Sequence, residues 1–328
     1  MRVATKWGVA VIGMLLPRWL LVANLLFDSG SQENEPSVKL QTITKFELEQ
    51  NANDSITSDA ETLLLDFSLP KHCKQKLLFV ASGAESLSQA EVFRSRFEND
   101  SRLSSLPICI FDVTWQVQSD LSCNENWQQS GRLGCQMLPL AAKLKSIAFT
   151  HLVVFAEKGK ANVHNGIMFL DNQDSYDVFI HELAHFSGFI DEYPLSQGLA
   201  KRVCQGVEAP NMVFQKNKNV AADQKYWQSL GLKNIPEIHA ARTCDNHPAQ
   251  AFKASSKLTF MEYHDTAYIP DYYLATWQKQ LQHIPNQPSA HINFAQLYED
   301  VNNSSEGQFW RAKYQQYLNG NSPSKRSF

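Results

Sequence analysis

Residues 181–193 read HELAHFSGFIDEY, and they decide how the chain is read. His181, Glu182 and His185 form an H-E-x-x-H pattern. On a helix, positions i and i+4 share a face, so both imidazoles can point at one ion. Glu182 then stands beside the remaining coordination position. A general base must be there to take a proton from water activated at the metal. Gly188 follows, and then Asp191. A glycine at that offset can end the helix in a left-handed conformation and turn the chain back. The turn brings Asp191 round as a third ligand. Three protein ligands plus an open position make a catalytic zinc site, not a closed structural one. Glu192 has two readings: it supports a ligand through hydrogen bonds, or it is itself the ligand if the turn differs.

The stretch His181–Asp191 resembles the metzincin motif H-E-x-x-H-x-x-G-x-x-H/D in its aspartate form. The trailing Asp191-Glu192-Tyr193 is also similar to the IgA-metalloendopeptidase family, in which H-E-x-G-H precedes Asp-Glu-Tyr. Here that triplet comes one residue earlier, and Ala184 replaces the family's glycine. The resemblance implies a zincin-like α/β (α+β) fold with a mixed sheet, a zinc-binding active-site helix and a more irregular, helical C-terminal part. It implies Zn2+ on His181, His185 and Asp191, with Glu182 as base. It also implies a methionine turn beneath the metal, and Phe260-Met261-Glu262-Tyr263 is the matching stretch. Met261 would be a soft floor under the histidines. Tyr263 would donate its phenol to the developing oxyanion. Without the resemblance, these two residues read as a core methionine and a half-buried tyrosine. His239, His247 and His264 are rival imidazoles, each more simply read as solvated or hydrogen-bonded.

The pattern upstream is α/β. Leu77–Ala81 reads as a buried strand, Leu87–Phe97 as a helix and Ile108–Trp115 as a β-branched and aromatic strand. Leu138–Ile147 is helix-like, and His151–Phe155 and Asn165–Leu170 read as strands. Asp174 is a candidate N-cap for a helix over Tyr176–Phe186. The resemblance makes Val163–Leu170 the cleft edge, able to pair with an extended peptide. Pro194–Pro236 is irregular and polar, and is expected to cover one side of the cleft. Asp271–Ile284 is helix-like, and Phe294–Tyr317 reads as one or two amphipathic helices whose aromatic spacing is that of a core. The domain plan is residues 1–27 as an N-terminal segment, 28–70 as linker or pro-segment, 71–290 as the metallopeptidase domain, and 291–328 as a helical extension with a frayed tail.

Composition narrows the partners. The chain has 328 residues, 43% hydrophobic, with 30 basic against 33 acidic groups and a net charge of −3. No basic block points to nucleic acid. No G-x-S-x-G, phosphate-loop or dinucleotide fingerprint is present. Arg2 and Lys6 precede the apolar stretch Trp7–Phe27, and the first acidic residue is Asp28. That is an export signal. It is read either as an uncleaved anchor, interrupted by Arg18, with its basic end in the cytoplasm, or as a cleaved signal peptide. The catalytic part then lies outside the cytoplasm, anchored in the periplasm or at the cell surface, or secreted. Six cysteines, all beyond residue 70, suit an oxidising compartment. Six cysteines allow 15 pairings, among which sequence does not choose. Local pairing favours Cys123–Cys135 and Cys204–Cys244, and Cys73 is left open between a disulfide to Cys109 or another partner and a thiolate on the metal.

The expectation is an exported zinc metallopeptidase acting on a peptide or protein substrate. Two alternatives are a non-enzymatic zinc-stabilised surface module and a hydrolase of cell-wall peptides.

Overall fold

The computed structural model describes residues 73–111, 113–115, 121–205, 208–215, 224–230, 232–235, 237–282 and 288–320. The segments assigned above to an anchor or signal (1–27) and to a linker or pro-segment (28–70), and the tail beyond residue 320, lie outside them. Among the described residues no helix is long and apolar enough to cross a membrane.

The architecture is mixed α/β. Its main sheet comprises β1 (Gln75–Ala81), β2 (Ile108–Ile110), β3 (Thr114–Trp115), β4 (His151–Ala156), β5 (Asn162–His164) and β6 (Ile167–Asp171). The order is β2-β1-β4-β6-β5, with β3 also on β1. All pairings are parallel except β5 with β6, which is antiparallel. Successive side chains of a strand point to opposite faces, and both faces of this sheet are covered. Leu77, Phe79, Val153, Phe155, Met168 and Leu170 belong to one core with α1 (Ala84–Glu98), α3 (Tyr176–His185) and α6 (Asp271–Gln282). Leu78, Val80, Leu152, Val154, Ile167 and Phe169 belong to another with α2 (Leu138–Lys143), α7 (Ala290–Asp300) and α8 (Ser304–Gly320). Double coverage explains why these strands read as unbroken apolar runs. Each fully buried Leu or Phe contributes roughly 1.5–3 kcal/mol.

Three local expectations change. The strand Ile108–Trp115 is broken into β2 and β3, both paired with β1. The stretch Val163–Leu170 is not one strand. Asn165 and Gly166 have φ of 43° and 78° and turn the chain between β5 and β6. The sheet edge is therefore Asn162–His164, and β6 lies inside. The N-cap of α3 is Ser175, whose side chain accepts from Val178 N–H at 3.3 Å. Asp174 is occupied elsewhere, its carboxylate accepting from Asp171 N–H at 2.7 Å.

The irregular region after Tyr193 holds more order than its composition suggests. It contains α4 (Gln197–Val203) and α5 (Lys225–Ser229). It also contributes β7 (Met212–Gln215) to a second sheet with β8 (His239–Ala241) and β9 (Gln250–Lys253), in the order β7-β9-β8. Disulfides join Cys123–Cys135 and Cys204–Cys244, the two local pairs favoured from the sequence, and Cys73–Cys109, which settles the partner the sequence left open. The C-terminal helices belong to the same compact unit as the sheet, and the boundary drawn at residue 290 falls on the first residue of α7. Of the residues whose spacing suggests a core, Tyr298 and Trp310 are buried, Leu297, Tyr314 and Leu318 are half-buried, and Val301 and Phe309 are exposed; Phe294 and Tyr317 are buried beside them.

Candidate metal centre

The helix α3 ends where the motif requires. After His185 the turns tighten: Gly188 N–H donates to His185 O at 3.0 Å, and Phe189 N–H reaches back to Ala184 O at 3.3 Å. Gly188 has φ of +83°. A Cβ there would meet nothing closer than Pro210 at 3.8 Å. Conformation rather than space therefore calls for glycine. Asn211 secures the returning chain, its side chain accepting from Ile190 N–H at 3.0 Å and donating to Ile190 O at 2.8 Å.

The turn brings Asp191 back to the helix. Its Oδ1 lies 3.0 Å from His181 Nε2 and 3.1 Å from His185 Nε2. Both rings are fixed from behind. His181 Nδ1 lies 2.8 Å from Phe260 O, and His185 Nδ1 lies 2.8 Å from Phe189 O. Carbonyls only accept, so each Nδ1 carries the proton and donates it. A neutral ring held this way presents an Nε2 lone pair, the usual preparation of a metal-binding histidine. Glu182 belongs to the same cluster: one ligand atom each of His181, Glu182 and His185 lies within 4.8 Å of the others. Of the two carboxylates, Asp191 makes the short contacts to both Nε2 atoms.

These donors fit a metal ion. With zinc bonds of about 2.0–2.1 Å in a tetrahedron, neighbouring donors lie roughly 3.3 Å apart. The Asp191 contacts are within a few tenths of an ångström of that edge. Without a metal, a proton on His185 is held by Asp191. Burial opposes charge on His185, yet the Asp191 carboxylate raises its pKa to about 9. Burial likewise works against the charge of Asp191, but His185 and His181 hold it well below the usual carboxylate range. A metal ion bound there would displace the proton that His185 shares with Asp191.

Glu192 faces the other way. It is fully buried. Its Oε1 accepts from Tyr273 OH at 2.6 Å and Asn211 Nδ2 at 3.0 Å, and its Oε2 accepts from Thr259 Oγ1 at 2.7 Å. Lys253 Nζ lies 3.2 Å from Oε2 and also pairs with Glu262. The Glu192 N–H donates to Met261 O at 2.9 Å. These contacts leave Glu192 hydrogen-bonded in the interior, outside the cluster of His181, Glu182 and His185. Glu192 ties the turn carrying Asp191 to the turn carrying Met261, and Phe260 of that second turn orients His181. Met261 is fully buried in the same core.

Tyr263 is 54% exposed and hydrogen-bonds Asp265, which raises its pKa. It lines a cavity of about 350 Å³ with His181, Glu182, Tyr193 and His264. The His264 ring lies 6.5 Å from that of His181, and its Nδ1 is 2.6 Å from Asp265 Oδ1. His247 accepts from Ala249 N–H, and His239 lies 3.6 Å from Glu237. Neither joins the cluster of His181, Glu182 and His185. A second cavity of about 360 Å³, on the side of His185, is lined by Glu182, Asp191, Tyr193, Asn162 and Val163 among others.

Sequence reasoning gave Tyr193 no role, although it lines both cavities. Burial, and then the Asp191 carboxylate that its hydroxyl bonds, raise its pKa. Asn211, Thr259, Lys253 and Tyr273 were also missed. They are unremarkable in sequence and meet only in the fold.

No family model matches the chain, and neither a curated protein nor a solved structure matches it.

Proposed function

We propose that the chain is an exported zinc metallopeptidase of metzincin-like design. One observation carries this reading: two histidines, each held through Nδ1 by a backbone carbonyl, turn Nε2 toward the same Asp191 oxygen, in an open cleft beside Glu182. His181, His185 and Asp191 would hold the zinc. When bound, the ion supplies a Lewis acid that polarises the scissile carbonyl. Glu182 takes a proton from the attacking water and delivers it to the leaving amine. Tyr263 exchanges Asp265 for the developing oxyanion and donates its phenol there. The outer edge of β5 pairs with no other strand among the described residues, and it takes an extended peptide by strand addition. The three disulfides support an oxidising compartment. Residues 1–27 decide between a membrane tether and release.

A closed structural site has no use for Glu182 beside an open position, which weighs against the non-enzymatic reading. The test is metal content and casein turnover of protein from an oxidising compartment, beside Glu182→Gln. The expected result is one zinc per chain in both, with turnover in the parent alone. Equal turnover in the variant would overturn the mechanism. Zinc without turnover in either would favour the binding module, and turnover of peptidoglycan fragments alone would favour the cell-wall hydrolase.

A further inference from the structure

The cavity beside His185 has a charge unlike that of the chain. The protein carries a net −3, yet this cavity collects Arg132, Lys160 and Arg202. Among the described residues, the acids lining it are Glu182 and Asp191, both part of the candidate metal centre. None of the three cations makes an ion pair with a described residue. The opposite cavity, beside His181, shares Lys160 but adds Asp174 and Glu262. The excess of basic side chains is therefore confined to the cavity beside His185, since in the other cavity Lys160 faces Asp174 and Glu262, the latter already paired with Lys253.

The three cations come from three segments, and each segment is anchored. Arg132 lies in the loop closed by Cys123–Cys135. That loop is pinned to the approach of β5: Asn162 Nδ2 donates to Leu133 O at 2.9 Å and to Lys160 O at 3.0 Å. Arg202 is on α4, next but one to Cys204, which is bonded to Cys244. Like charges gathered around one concavity repel, and an anionic ligand relieves the repulsion. Arginine is the side chain suited to hold a carboxylate through two parallel N–H bonds.

We propose that this cavity is an acid-selecting subsite, which binds the side-chain carboxylate of an aspartate or glutamate in the peptide substrate next to the scissile bond. The proposal rests on the metallopeptidase reading for the word substrate, but not for the binding itself. At about 30 Å³ per water, the cavity has room for about a dozen waters, enough for an acidic side chain and part of its neighbour. Apolar Val163, Leu199 and Val203 line it as well and would hold the methylenes of a glutamate.

The test separates binding from turnover. Fluorescein-labelled, C-terminally amidated decapeptides carrying one Glu, Gln or Lys are titrated by anisotropy against zinc-loaded Glu182→Gln, which cannot consume them. Glu peptides should bind about tenfold tighter than Lys peptides, and the gap should shrink with salt. Arg132→Ala/Arg202→Ala, checked for parental Tm and zinc content, should erase the preference. Arg132→Glu/Arg202→Glu should reverse it. Equal binding of Glu and Lys peptides, or a preference that survives the double substitution, overturns the proposal. If only peptides with a free C-terminal carboxylate bind, the cavity reads a chain end and the side-chain assignment is wrong. If the preference holds but the parent cleaves none of these peptides, the peptidase reading fails and the acid-binding site stands.

Discussion

Asp191 and Glu192 are neighbours in sequence, yet their carboxylates lie in different surroundings. Asp191 meets His181, His185 and Tyr193 at the rim of an open cleft. Glu192 is closed off from solvent, and every contact it makes holds two parts of the chain together. A buried polar group must be satisfied by the protein itself, and Glu192 is. The outer cluster keeps its donors converging on an open space. One carboxylate is spent on architecture, and the other stays available for chemistry.

The strongest test of that division is Glu182→Gln. It should cut peptide turnover about 10²–10⁴-fold while changing stability by no more than about 0.5 kcal/mol. A matching loss of Tm would mean that the outer cluster is structural too. Glu192→Ala should do the reverse. It leaves Tyr273 and Thr259 without their shared buried acceptor, takes one bond from Asn211 and leaves Lys253 to Glu262 alone, at a cost of about 1–3 kcal/mol for each unsatisfied group. Differential scanning fluorimetry should register a Tm drop on the order of 10 °C, with metal retention falling as the turn loosens. An unchanged Tm would break the comparison from the other side.

A third polar group, on the C-terminal side of the sheet, sharpens it further. His151 is fully buried, and burial, with His291 nearby, pushes its pKa down to about 3. Burial, with Lys313 nearby, pushes His291 down to about 4. The unfolded chain protonates each near pH 6.5, as free histidine does, whereas the folded chain stays neutral until far lower. The share of stability that these two histidines control is therefore full above about pH 6.5 and falls by about 1.4 kcal/mol per pH unit per histidine as pH drops toward 4. Metal-free His185, with its raised pKa, contributes most below about pH 6.5 and works in the opposite direction. Tm at pH 5.5 should lie below Tm at pH 7.5, and His151→Asn/His291→Gln should flatten the slope. The smallest effect expected is at Tyr193→Phe. Losing its bond to Asp191 should weaken metal affinity about tenfold, as read by competition with a chromogenic chelator, and leave Tm unchanged.

What was legible in the sequence follows from distance along the chain. The H-E-x-x-H pattern, Gly188 and Asp191 are local, and one helix and one turn bring them together. The apolar runs of β1, β4 and β6 are local as well. Glu192 draws its partners from 19, 67 and 81 residues away, at Asn211, Thr259 and Tyr273. No spacing rule announces such a set. The cleft edge was a different kind of miss. Asn165-Gly166 is the dipeptide most typical of a tight hairpin, so the turn between β5 and β6 was written in the sequence but absorbed into a longer strand. The second sheet escaped because strands of three or four residues carry too little alternation to register.

Gly166 also sets the β5–β6 hairpin directly against the start of α7. A Cβ at this position would sit 2.3 Å from Ala290 N, so the hairpin backbone rests directly on the first turn of α7 with no side chain as cushion. Ala290 N–H in turn donates to Thr150 O at 2.9 Å. The C-terminal helices thus act as a backstop for the rim on which a peptide would be laid. Leverage on α7 would reach the rim through one contact of main chain on main chain, and even a single methyl at residue 166 would act as a wedge there, far from the histidines.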